Sequence, residues 1–124
     1  MTLARPAMLL AVAALLGAPL PSFAQGAAAE GERAFRTRCA SCHSLDPGQN
    51  RAGPSLAGVV GRKAGSVEGA RYSKALQESG VTWDAQSLDA FLADPRKTVP
   101  GTTMTVALRD AAQRAAIIAY LNGR

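Results

Sequence analysis

Leu88, Phe91 and Leu92 recur at i, i+3 and i+4 behind Asp84, a spacing that predicts a helix with one buried face. Asp94-Pro95 ends it, because the residue before proline is pushed out of the helical region. A second apolar stripe, Ile117, Ile118 and Leu121, predicts a terminal helix. Asp110 opens it and, with Gln113, resembles a capping box with aspartate in the Ser/Thr place. Upstream, a helix is expected over 31–42, with Phe35 one turn after Gly31, behind an alanine-rich, frayed start over 25–30. A short helix over 74–78 has Ser73 as its N-cap and Gly80 just past its end. The stretches 44–69 and 96–108 show no helical repeat and read as loop, the first rich in Gly and Pro. No segment sustains period-two alternation. The fold class is therefore all-α, three to five helices joined by long loops.

The first two dozen residues stand apart. Arg5 precedes an apolar run over 7–20, and Ser22-Phe23-Ala24 offers small residues at the −3 and −1 places of a cut before Gln25. Such a sequence describes a secretory signal peptide over 1–24, with a single domain over 25–124 and the periplasm as destination. A retained membrane anchor is the other reading. Against it, Pro19 and Pro21 interrupt the run at about fourteen residues, short of the roughly 18–20 that a spanning helix needs. No stable membrane insertion is expected after cleavage.

The chain carries 14 Lys+Arg against 9 Asp+Glu, and only Arg5 of these lies in the leader, so the remainder stays basic. A domain of this size buries a modest core, and 5% aromatic content makes that core poorer still. A flat apolar cofactor bolted to the chain would supply the missing interior.

Beyond the leader the chain has one histidine and one methionine. The histidine closes Cys39-Ala40-Ser41-Cys42-His43, a C-x-x-C-H string and the attachment signature of a c-type haem. Two thiols three residues apart share a helix face and can form thioethers along one porphyrin edge, while His43 turns under the ring. A ligating histidine usually donates its other N–H to a carbonyl, and Pro54, in Gly53-Pro54-Ser55-Leu56, is the candidate. Met104, in Pro100-Gly101-Thr102-Thr103-Met104, is the remaining candidate for the opposite axial place. His/Met ligation raises the reduction potential and leaves no open coordination site. Other readings exist for each piece. Zinc wants four ligands and finds three here. A thioredoxin-like pair wants a βαβ context, which is missing. A disulfide across two intervening residues would close a tiny loop and constrain little. Met104 could be core filler.

The ordered set Gly31/Phe35, the C-x-x-C-H string, Gly53-Pro54-Ser55-Leu56, Gly61-Arg62, Tyr72-Ser73, Trp83 and Pro100-Gly101-Thr102-Thr103-Met104 resembles class I cytochrome c, of the mitochondrial type and its bacterial relatives. The resemblance runs from Gly31 to Leu121 and implies a small fold centred on one covalently held haem c. It implies that Gly31 and Phe35 meet Ile117 and Tyr120 where the first and last helices cross. It also implies that Arg62, Tyr72, Trp83 and Thr102 hydrogen-bond a buried haem propionate. Two departures stand out: Phe91 replaces a tyrosine that approaches the methionine sulfur, and Leu76 replaces an asparagine that helps hold a water. A drier pocket is expected.

The expected function is a monomeric electron carrier rather than an enzyme, shuttling one electron between redox-protein donors and acceptors. Arg36, Arg38, Arg96 and Lys97 are expected to ring the exposed haem edge and to meet acidic docking patches. Nucleic acid is excluded as a partner, because no recognition motif accompanies the modest charge. A dedicated cytochrome subunit of a periplasmic oxidoreductase is the second reading, and a haem peroxidase or gas sensor the third.

Overall fold

The computed structural model describes residues 22–124. They form five helices: α1 Ser22–Arg38, α2 Lys74–Gln77, α3 Ala85–Ala93, α4 Pro95–Thr98 and α5 Ala111–Leu121. No strand occurs among the described residues, and the one β-bridge joins Lys63 to Thr82. The chain is all-α, as its periodicities imply. The expected leader over 1–24 lies almost wholly outside the described residues, and the expected cut before Gln25 falls within α1.

α1 crosses α5, and α3 packs on both α5 and α4. The crossing is close because Gly31 carries no Cβ: one built there would touch the Ala116 carbonyl oxygen and Tyr120 Cβ. Phe35 packs on Tyr120 with ring centroids 5.6 Å apart, and Ile117 beneath them is fully buried. Ile117 and Leu121 are buried, whereas Ile118 is half-buried on the flank of the stripe.

The caps explain the boundaries. Asp84 accepts from Ser87 N at 2.7 Å while Ser87 Oγ accepts from Asp84 N at 2.9 Å, a reciprocal capping box. Asp110 accepts from the amides of Ala112 and Gln113 at 2.8 and 3.2 Å. Ser73 accepts from Leu76 N at the start of α2.

Three boundaries differ from expectation. α1 already runs through 22–30, ahead of the expected start near residue 31, since alanines favour helix and Glu30–Arg33 and Glu32–Arg36 pairs brace its turns. It also stops at Arg38, before the cysteines. Cys39 N and Ala40 N both bond to the Phe35 carbonyl, so the regular i−4 pattern fails there. The next carbonyls take partners from the following loop: Arg51 Nη1 donates to Ala40 O at 3.0 Å, and Gly53 N to Cys42 O at 2.8 Å. Cys39 and Cys42 are therefore presented from turns, not from one helix face. The third difference is α4, where loop was expected. Asp94 ends α3 and also caps α4 by accepting from Lys97 N, while Pro95 fills the first helical place, where its missing N–H costs nothing.

Candidate cofactor site

The loops enclose a cavity of about 380 Å³ walled largely by Leu56, Leu76, Leu88, Phe91 and Leu92. Cys39, Cys42 and His43 line it, and so does Met104. A second, polar groove of about 420 Å³ runs along 93–96 and 105–109 and touches none of these four.

His43 is placed by the turn that ends α1, its amide bonding to Cys39 O at 3.0 Å. Its Nδ1–H donates to the Pro54 carbonyl at 2.7 Å. A carbonyl can only accept, so the proton sits on Nδ1 and Nε2 keeps a free lone pair. Burial lowers the pKa of the ring, outweighing the opposing Pro54 bond, which favours the neutral form that can ligate. Gly53 closes against the ring from one side: a Cβ there would stand 2.7 Å from Nδ1. Nothing in the sequence alone marked Gly53 for this contact. Burial also raises the free Cys39 thiol to about 11, against the pull of Arg38.

Arg62 and Trp83 are brought together by a short ladder between two loops. Gly61 N donates to Trp83 O at 2.6 Å, and Trp83 N to Arg62 O at 2.9 Å. Trp83 is buried and meets Phe91 at a tilt, centroids 5.0 Å apart. Phe91 itself lines the cavity with Leu76, so these two walls are apolar. Arg62 donates through Nη1 to Ala57 O at 2.9 Å, but its buried Nε has no partner. Burial also lowers the Arg62 pKa. Tyr72 accepts from Val67 N at 3.1 Å, which leaves the phenolic proton for another acceptor. Thr102 is buried, and its Oγ1 accepts from Met104 N at 3.4 Å. Arg62, Tyr72, Trp83 and Thr102 all line the same cavity.

The basic residues at the surface sort differently from expectation. Arg38 lines the cavity, and Arg71, which the sequence did not single out, joins it there with Val106. Val106 is the exposed large hydrophobic side chain of the described surface, at 44%. Arg36 does not line the cavity and pairs with Glu32 at 2.5 Å. Arg96 faces the polar groove beside Arg109.

The donor set fits a haem on grounds internal to this chain. A thiol pair, an imidazole with a free Nε2 and a thioether line one apolar chamber, and an unpartnered guanidinium N–H is buried in its wall. A buried donor of that kind is costly unless an anion or acceptor meets it. Among the described residues, no group of three or more His, Cys, Asp or Glu could hold a metal by itself.

Comparison with known proteins gives the same class. Residues 28–124 match the Cytochrome c family. Cytochrome c2 iso-2 of Magnetospirillum fulvum is 50% identical over 84 residues, 67% of this chain and 88% of that protein. Cytochrome c-type cyt cy of Rhodobacter capsulatus is 45% identical over 103 residues, 82% of this chain and 51% of that longer protein. The solved cytochrome cH from Methylobacterium extorquens superimposes with a TM-score of 0.72 at 46% identity, covering 78% of this chain and 98% of that one. The chain belongs to the cytochrome c family, and its cofactor is a covalently bound haem c.

Proposed function

We propose that this cytochrome c is a periplasmic, monomeric single-haem electron carrier and not an enzyme. Cys39 and Cys42 would hold the haem as thioethers, and His43 and Met104 would ligate its iron. The observation that carries the reading is that His43 and Met104, far apart in sequence, line one chamber, one with its Nε2 lone pair uncommitted. When bound, the haem iron supplies one-electron Fe(II)/Fe(III) cycling. The protein's part would be to hold His43 and Met104 where they can ligate the iron and to keep the chamber apolar. Pro54 O orients the imidazole, and Leu76 and Phe91 line the pocket with hydrocarbon. Arg62, with Tyr72, Trp83 and Thr102, offers hydrogen bonds to a buried propionate. Export rests on the basic start, the apolar run and the small residues before Gln25. No described helix is long and apolar enough to cross a membrane.

The test is to mature the protein with haem-attachment machinery and compare oxidised and reduced spectra of wild type and Met104→Ala. Wild type should not bind carbon monoxide readily when reduced, and the variant should. Its potential should fall by on the order of 0.2 V, a fraction of the roughly 0.8 V that axial ligands span. An unchanged ligand-field spectrum in the variant removes Met104 as ligand.

Docking is proposed at the cavity mouth, where exposed Arg38 and Arg71 line the cavity together with exposed, apolar Val106 and suit an acidic redox partner. Reversing both arginines to glutamate should slow oxidation of the reduced protein by ferricyanide about tenfold or more at low salt. The difference should shrink as ionic strength rises. Equal rates at low salt would remove this face.

A further inference from the structure

Met104 sits on an arch held at its two ends. On the near side, Val99 and Thr102 are buried, and Thr102 N bonds to Val99 O at 3.0 Å. Thr103, Thr105, Val106 and Ala107 are exposed, with Met104 half-buried among them. Leu108 then dives into the core at 2% exposure, and its amide donates to Leu92 O at 2.7 Å.

The far anchor has a second grip. Arg114, on α5, donates through Nη1 to Leu108 O at 2.8 Å and to Arg109 O at 3.0 Å. No other donor among the described residues reaches either carbonyl. Its Nε donates to Asp89 of α3 at 2.7 Å. The Arg114 side chain is only 11% exposed, while that of Asp89 is 50% exposed. A guanidinium drawn that far out of water needs its charge paired and its N–H groups bonded. Here Asp89 pairs the charge, and the end of the methionine arch uses the donors. Arg114 lies outside the lining of the cavity, so it cannot act on the haem directly.

We propose that Arg114 is a positioning residue that latches the far end of the Met104 arch to the α3/α5 frame, and so sets how readily Met104 leaves the iron. The proposal rests on Met104 being the sixth ligand. Opening the arch need not unfold the helices. It releases a short exposed segment between two anchors, and the latch decides the free energy of that local event. Asp89 acts through Arg114 by holding the guanidinium in place.

Imidazole capture by the oxidised holoprotein reads this event. At high imidazole the observed rate reaches a plateau equal to the rate at which the native sixth ligand leaves. Arg114→Met should raise that plateau about tenfold or more, as expected when charge-assisted hydrogen bonds to the closed state are lost. Arg114→Lys and Asp89→Asn should give smaller rises in the same direction, and they serve if Arg114→Met does not fold. Amide hydrogen exchange at Leu108, which needs no iron ligand as reporter, should quicken in parallel. Asp84→Ala removes the α3 cap, touches nothing in the arch, and should leave the plateau alone. A plateau unchanged in all the Arg114 and Asp89 variants overturns the latch, as does an equal rise in Asp84→Ala. Met104→Ala separates the two failures. Fast capture in Met104→Ala upholds the ligand, so an unchanged plateau in the Arg114 and Asp89 variants then overturns the latch alone, whereas capture as slow as in wild type overturns the ligand and the latch with it.

Discussion

Replacing Gly53 with alanine is expected to cost about 3 kcal/mol or more of stability and to disturb the histidine side of the haem site. The new Cβ would stand 2.7 Å from His43 Nδ1 and 2.9 Å from Nε2, inside any tolerable contact. Neither side can give way cheaply. The ring is pinned by its bond to Pro54 O at 2.7 Å, and Gly53 is pinned by its amide to Cys42 O at 2.8 Å. Overpacking alone costs about 1–3 kcal/mol, and surrendering a buried hydrogen bond adds about another 1–3. Gly48 provides the calibration. Its φ of +77° penalises alanine through the backbone, by about 1–2 kcal/mol, but no atom lies within 4 Å of a Cβ there. Urea midpoints of the two matured variants should therefore differ clearly, with Gly53→Ala the lower and with its iron spectrum altered. If Gly53→Ala matches wild type in both, the ring is not held against this backbone.

Several of these features were legible in the amino-acid order because each depends on neighbours in sequence. Asp84, Ser73 and Asp110 cap helices through amides two or three residues away, and the stripes of α3 and α5 follow from 3.6-residue periodicity. What escaped depends on contacts made across the fold. The sequence extends the expected helix over 31–42 through the cysteines, but Arg51 and Gly53 take the carbonyls that the next turn would need. α4 reads as loop in the sequence because four residues show no period, and only the double use of Asp94 makes it a helix. The packing of Gly53 on His43 and the presence of Arg71 at the cavity mouth depend on where loops fold back. Arg36 reads as a docking residue because it flanks the haem attachment string, yet Glu32 one turn before it pairs with its charge. Local chemistry reads from the string; loop placement does not.

Gly31→Ala should be as damaging as the change at Gly53, but through a different contact, the crossing of α1 and α5. Its Cβ would be driven into the Ala116 carbonyl oxygen and would stand 2.8 Å from Tyr120 Cβ, so α5 would have to move away from α1. The movement opens the layer formed by Phe35, Ile117 and Leu121, which is buried to within a few per cent. Overpacking of about 1–3 kcal/mol is then joined by loosened apolar contacts, for an expected loss of about 3–4 kcal/mol. Gly26 lies in the same helix with nothing within 4 Å of a Cβ, so alanine there should be neutral or stabilising by up to about 1 kcal/mol. Opposite signs for one chemical change in one helix would isolate the crossing from helix propensity. The consequence reaches the haem because α1 ends at Arg38 and its Phe35 carbonyl accepts the amides of Cys39 and Ala40. A shifted crossing therefore displaces the residues that attach the cofactor. Gly31→Ala should lower the yield of matured, haem-bearing protein as well as its urea midpoint. A variant that matures at the wild-type level while losing 3 kcal/mol would show that the crossing stabilises the fold without setting the attachment loop.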